Sequence, residues 1–193
     1  MSTVFAVRND SYIFQEIDLK IDDVIDARPS DVDEDIVLDF SLNNYAMSDW
    51  WPTPDTEFVA IDNDSKALIP DISKWMDTSL VLSPKAYRLL GDTFKEWGEF
   101  LPITVRGEIF YIFNCLTFGL VHNNLCEKSY YEGEEVGIKT IVFDNQDVAT
   151  KLVFKTTYNS CIELYCGDRL KNIVQSYELS GVIFSEILVE DFN

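Results

Sequence analysis

Histidine is almost missing from this chain of 193 residues, which holds one, His122, beside 34 Asp and Glu. A single imidazole excludes two-histidine zinc sites and facial iron triads built within one chain. A Ser-His-Asp or Cys-His centre would have to recruit His122, and no G-x-S-x-G elbow exists for the serine. The local text Val121-His122-Asn123-Asn124 reads instead as a turn, because adjacent asparagines favour one. Cysteine is sparse, at four residues, with no C-x-x-C pair. On a strand Cys161 and Cys166 point to opposite faces and cannot share a metal, so buried free thiols are expected. The eight glycines form neither G-x-x-x-x-G-K-[ST] nor G-x-G-x-x-G, which removes the common phosphate loops. Long apolar runs are missing too. The longest, Ile109 to Phe113, falls far short of the roughly 18–20 residues that span a bilayer. The N-terminus carries no basic region followed by an apolar stretch, so no secretory signal is read and a soluble, cytoplasmic protein is expected.

Positive charge is scarce in the same way. Fifteen Lys and Arg against 34 acids leave a net charge of −19, and residues 1–50 alone carry −9. Such a field repels phosphate backbones, so neither nucleic acid nor an anionic membrane is expected as a partner. A basic protein partner would be steered toward the chain, with association faster by roughly 10–10³-fold at low salt. Solubility alone also explains acidity. The run Asp31-Val32-Asp33-Glu34-Asp35 begins like a calcium loop, but Ile36 stands where the sharp-turn glycine belongs and Leu42 where the bidentate glutamate belongs. The nuclease order of Pro-Asp followed by an acid-x-Lys triplet fails as well. Asp18-Leu19-Lys20 precedes both Pro54-Asp55 and Pro70-Asp71. No metal or other cofactor is expected, and no catalytic residue is assigned.

Hydropathy patterning predicts an α+β fold, with a few helices packed on a mainly antiparallel or mixed sheet. Val4 to Val7 and Ser11 to Ile17, around Asn9-Asp10, predict an opening hairpin. Residues 18–35 read as a loop with one short helix, and Ile36 to Phe40 and Glu57 to Ile61 as strands, the latter ending at residues 62–65. Trp50-Trp51-Pro52-Thr53-Pro54 breaks regular structure, as either a loop plug on the core or an exposed knob. After the strand Leu80-Val81-Leu82, Ser83 and Pro84 cap a helix to Trp97 along an apolar stripe, and Gly98 is read as its left-handed C-terminal cap. Phe100 to Val105 and Glu108 to Phe113 form a hairpin about Arg106-Gly107, with Pro102 marking an edge or a strand start. Glu127 to Gly133 reads as a polar loop, and Ile138 to Phe143, Leu152 to Phe154 and Ile162 to Tyr165 as strands. A helix over Asp168 to Glu178 and a strand over Val182 to Phe184 close the chain. The reading is one domain over 1–193, with a less constrained acidic portion at 1–77 and the principal core at 78–193.

Two stretches carry a family likeness. One runs from Leu80 to Leu90 and on through Gly98-Glu-Phe-Leu-Pro-Ile-Thr-Val105 to Tyr111-Ile-Phe-Asn-Cys-Leu116. The other joins Ile162-Glu-Leu-Tyr165, a helix, and Leu179-Ser-Gly-Val-Ile-Phe184. This order resembles the bacterial immunity proteins of polymorphic-toxin systems, a family of about 200 residues first catalogued as an uncharacterised conserved domain. The resemblance covers roughly residues 65–187, although Leu101-Pro102 departs from the family's Phe-Pro. It implies a non-catalytic protein that binds and neutralises a cognate toxin, and it carries no catalytic residues.

Such a protein needs only a complementary surface. The acidic loops supply Asp31, Asp33, Glu34 and Asp35, or Glu132, Glu134 and Glu135, as contact residues for a basic toxin, with Trp50 and Trp51 as aromatic anchors. Specific capture predicts a compact patch with an apolar centre. An acidic adaptor that imitates DNA predicts evenly spaced acids along an elongated face, and a carboxylate-dependent hydrolase predicts a deep pocket with converging acids. A homodimer through an uncovered edge such as residues 108–113 is a further expectation.

Overall fold

In the computed structural model of the chain, residues 3–60 and 68–189 are described. The turn expected at 62–65, and the end of the strand expected to reach Ile61, lie outside them. The first part of the chain contains β1 (Val4–Asn9), β2 (Glu16–Ile17), α1 (Ile21–Ala27), α2 (Glu34–Leu38) and α3 (Phe40–Asn43). Then come β3 (Asp55–Thr56), β4 (Phe58–Val59), β5 (Ile72–Trp75), β6 (Ser79–Leu82), α4 (Pro84–Phe94), β7 (Gly98–Val105) and β8 (Glu108–Cys115). The last part holds β9 (Glu127–Tyr131), β10 (Glu134–Thr140), α5 (Asn145–Val148), β11 (Val153–Phe154), β12 (Tyr165–Gly167), α6 (Asp168–Ser176) and β13 (Val182–Ser185). The fold is α+β, with mixed and antiparallel sheets.

Period-two alternation sets the layering. A five-stranded sheet in the order β3-β7-β8-β6-β5 is buried on both faces. Leu80, Leu82, Phe113 and Cys115 face one core, which also takes Ala86, Leu90 and Phe94 from α4 and Leu170 and Val174 from α6. Val81, Leu101, Ile103, Val105 and Ile112 face the other, which is covered by Val24, Val37, Phe40 and Trp51 from the N-terminal segment. The first core is shared with a four-stranded sheet, β11-β12-β1-β13, through Phe5, Val7, Val153 and Cys166. Ala6, Phe154 and Tyr165 point to that sheet's opposite face and meet Ile141, Phe143 and Val148 in a third, smaller cluster. Position 77 does not divide the layers, since β1 pairs with β12 and β13, and β5 with β6.

Two local readings are met closely. Ser83 caps α4, its Oγ accepting from the Ala86 N–H at 3.1 Å, and Pro84 occupies the first turn. Arg106 and Gly107, at φ of 52° and 82°, make the two-residue turn between β7 and β8, with Val105 opposite Glu108. Several other expectations are corrected. No opening hairpin forms, because both edges of β1 are occupied by β12 and β13, and β2 pairs with β4 instead. Residues 36–40 are helical rather than extended. The Asp33 carboxylate caps α2 by accepting from the Asp35 N–H at 3.1 Å, and Val37 and Phe40 bury one helical face. Gly98 is not a helix cap but the first residue of β7. A Cβ there would lie 2.1 Å from the Asn114 carbonyl oxygen, so the glycine permits the close approach of β8.

Pro102 sits inside β7, where β3 reaches only Thr104 and Val105, so its missing donor faces no strand. The segment 108–113 is covered in part: residues 111–113 lie between β7 and β6, whereas residues 108–110 pair with β7 alone. Cys161 to Cys166 is not a single strand. Ser160 and Cys161 are left-handed, at φ of 55° and 56°, and β12 begins at Tyr165. Glu127 to Gly133 is not a loop but β9 and the turn that follows it.

Candidate functional site

The β9–β10 hairpin stands apart from the layered sheets, its two strands pairing with each other and with no third strand among the described residues. Glu132 and Gly133, at φ of 52° and 91°, form its two-residue turn, with Tyr131 opposite Glu134. Residues directly opposite share a face, so Tyr130, Glu135, Lys128 and Ile138 lie on one side, and Tyr131, Glu134, Ser129 and Glu127 on the other. Register shifts fall between Glu135 and Gly137 and between Ile138 and Thr140, both on β10.

The tip carries one tyrosine and one glutamate on each face, Tyr130 with Glu135 and Tyr131 with Glu134. Tyr130, Tyr131 and Val136 are 63%, 69% and 57% exposed. Glu132, Glu134 and Glu135 are all exposed as well. Lys128 Nζ contacts Glu135 Oε1 at 2.5 Å, and Lys139 Nζ contacts Glu127 Oε2 at 2.7 Å. These bonds to carboxylates hold both ammonium groups above the usual lysine range. Among the described residues no ion pair involves Glu132 or Glu134, so the hairpin's uncompensated charge sits at its turn.

The inner face of the hairpin walls a cleft of about 310 Å³. Ile138, Tyr158, Ile162, Tyr165 and Leu188 give it apolar sides, and Lys128 lies 5.3 Å from the centroid of the Tyr158 ring. Its two carboxylates are both paired, Glu135 with Lys128, and Glu163 with Lys74 at 2.7 Å and Arg8 at 3.4 Å. Tyr165 OH donates to the Leu188 carbonyl oxygen at 3.1 Å and accepts from Asn159 Nδ2 at 2.9 Å. Burial raises the Tyr165 hydroxyl far above the ordinary phenol range, so it remains a proton donor.

A second charged group is inside the protein. Lys155 is fully buried, its Nζ has no hydrogen-bond partner, and it lies 5.4 Å from the centroid of the Phe118 ring. Burial pulls its ammonium below the usual lysine range. The neighbouring thiols move the other way, Cys115 being pushed up to about 11 by burial and Cys161 raised for the same reason. Protonated thiols of this kind are poor nucleophiles. All four cysteines are free. His122 is exposed in a turn, where its carbonyl oxygen accepts from the Leu125 N–H at 2.8 Å. Among the described residues no group of three or more His, Cys, Asp or Glu is arranged to hold a metal ion, and no helix is long and apolar enough to cross a membrane.

The residues singled out in the sequence separate into two regions. Asp31, Asp33, Glu34 and Asp35 are exposed around the start of α2, where Asp33 is the cap and Glu34 pairs with Arg28 at 3.4 Å. Trp51 is a core plug, its Nε1–H donating to the Pro102 carbonyl oxygen at 2.7 Å and its ring packed edge-on against Trp75. Trp50 is half-buried beside it. With Trp51 so enclosed, the pair does not stand out as an exposed knob. Glu132, Glu134 and Glu135 share the hairpin with Tyr130, Tyr131 and Val136, which the sequence reading passed over. The signal available was Tyr130-Tyr131-Glu132-Gly133, two aromatics running into a glycine turn.

No protein-family model matches this chain, and no curated protein matches it. Fold and site together define an acidic α+β protein that presents a hairpin bearing exposed tyrosines and glutamates.

Proposed function

We propose that this chain is an immunity protein, a non-catalytic binder that captures a basic cognate toxin in the cytoplasm of the producing bacterium and neutralises it. The observation that supports this reading most is the hairpin tip, where exposed Tyr130 and Tyr131 each stand beside a glutamate on their own face, Glu135 and Glu134, with Glu132 in the turn between them. Tyrosine is enriched among residues that dominate binding energy, and acidic rims steer basic partners and fix their orientation. An imitator of DNA would need acids evenly spaced along a face with no apolar centre. A carboxylate hydrolase would need an acid in the cleft free to take or give a proton, whereas Glu135 and Glu163 are each held by a cation.

The test is co-expression with the product of the gene immediately upstream, scored by rescue of growth and by co-purification. Reversing Glu132, Glu134 and Glu135 to lysine should slow association at low salt by about tenfold or more and flatten its dependence on ionic strength. Unchanged affinity across salt concentrations would remove the hairpin from the interface. Failure of the two proteins to associate at all, with no rescue, would end the immunity reading.

A further inference from the structure

We propose that the outer edge of β9 receives an extended, lysine- or arginine-bearing strand of the toxin, so that capture proceeds by adding a third strand to the hairpin. This rests on the immunity reading and specifies how its site is used.

The two strands of the hairpin differ as edges. β10 is interrupted by both register shifts, and such irregularities twist an edge away from pairing. β9 runs unbroken from Glu127 to Tyr131, with no proline and no bulged residue of its own. In a hairpin closed by a two-residue turn, the closing pair, Tyr131 and Glu134, exchanges hydrogen bonds. The alternation of an antiparallel ladder then turns the N–H and C=O of Tyr130 and Lys128 away from β10. Among the described residues no backbone partner meets them. Several other edges are closed or shorter than β9: β5 has its Lys74 N–H bonded to Asn9 Oδ1 at 2.6 Å and its Ile72 N–H to the Ser180 carbonyl oxygen at 2.9 Å, β3 and β11 have two residues each, and β13 has four.

Charge selects the occupant. Glu132 and Glu134, without a cation of their own, stand at the turn end of β9, so a strand laid beside it meets negative charge there. A second copy of this chain would bring another −19 and would set acid against acid. Main-chain hydrogen bonds supply affinity in this mode of recognition, and alternate side chains supply specificity. Tyr130 and Tyr131, pointing to opposite faces, would each cover one side of the added strand.

The experiment uses the full chain with the upstream toxin. Hydrogen–deuterium exchange at the Tyr130 and Lys128 amides should slow at least tenfold in the complex. Affinity should fall about tenfold or more further for Tyr130→Pro than for Tyr130→Ala, because proline also removes the outward N–H while leaving the β9–β10 ladder its bonds. A complex that forms with those amides exchanging as in the free protein, and with both variants equally weakened, overturns strand addition and leaves the immunity reading intact. Absence of any complex overturns the reading beneath it. Protection that grows with concentration of this chain alone assigns the edge to a second copy and overturns the toxin strand. If Tyr130→Pro loses its native near-ultraviolet circular dichroism, the exchange measurement decides alone.

Discussion

Replacing Lys155 with methionine is expected to stabilise the protein, and the size of the effect follows from what surrounds the ammonium. The side chain is completely buried and its Nζ lacks a hydrogen-bond partner. An orphaned polar group of this kind costs about 1–3 kcal/mol. The Phe118 face, 5.4 Å away, returns about 0.5–2 kcal/mol to the charged form. Burial dominates over the two nearby thiols, since the group is pulled down in spite of them. Methionine keeps an unbranched stem in the same space and removes the charged head, so a net gain of about 1 kcal/mol is expected. For a chain of this size that raises Tm by about 2–4 °C. The sign of the pH dependence is equally definite. With a folded pKa below the unfolded value of 10.5, the native state holds fewer protons than the unfolded state between the two values. Wild-type stability therefore rises with pH through that interval, and the cost of the buried charge is fully present below it. Urea unfolding at a series of pH values, from about 7 to about 10.5, should show the variant ahead at neutral pH and the gap closing as pH rises. A variant that is less stable at neutral pH, or a gap independent of pH, would refute the reasoning.

Two further expectations concern the framework. Gly98→Ala should lower stability by about 2–3 kcal/mol, because the new Cβ would meet the Asn114 carbonyl at 2.1 Å and the Phe113 ring at 2.8 Å, and β7 would have to part from β8. Chemical denaturation reads this directly, and a loss below about 0.5 kcal/mol would show that the strands can separate there at little cost. Asp33→Ala should cost about 1 kcal/mol through loss of the α2 cap while leaving toxin affinity unchanged. Isothermal titration beside a thermal melt separates the two effects, and weakened binding at full stability would move the interface to α2.

What could be read from the sequence was local. The Ser83-Pro84 start of α4 and the Arg106-Gly107 turn are set by neighbours within a few residues, through a capping hydroxyl and a backbone that tolerates positive φ. The errors come from forces that sequence distance hides. β1 ends in a plausible turn, yet its partners lie beyond position 160, and pairing on both sides excludes the adjacent strand. Ile36-Val37-Leu38 is β-branched enough to suggest a strand, but the Asp33 cap and the helical spacing of Val37 and Phe40 against the sheet decide otherwise. Trp51 owes its place to a carbonyl in the middle of β7. The hairpin at 127–140 was hidden for a different reason. Neither of its faces is fully buried, so its strands lack the alternation of polar and apolar residues by which half-buried strands are recognised. All three acids of the proposed contact, Glu132, Glu134 and Glu135, are thus named from the sequence, while the tyrosines beside them are not.

Under the proposed function, the same lack of burial favours the hairpin over the acidic start of α2 as the contact surface. At α2 two of the four acids have tasks in the fold, since Asp33 satisfies a helix end and Glu34 holds Arg28. On the hairpin, Tyr130, Tyr131, Glu132 and Glu134 belong to none of the three hydrophobic clusters, and only Ile138 leans on one of them. Substitutions at the tip therefore leave the layered cores untouched, and exposed positions of this kind usually shift stability by no more than about 0.5 kcal/mol. A binder that must match one particular toxin gains from this separation, because its contact residues can change chemistry while the two-faced central sheet continues to hold the fold.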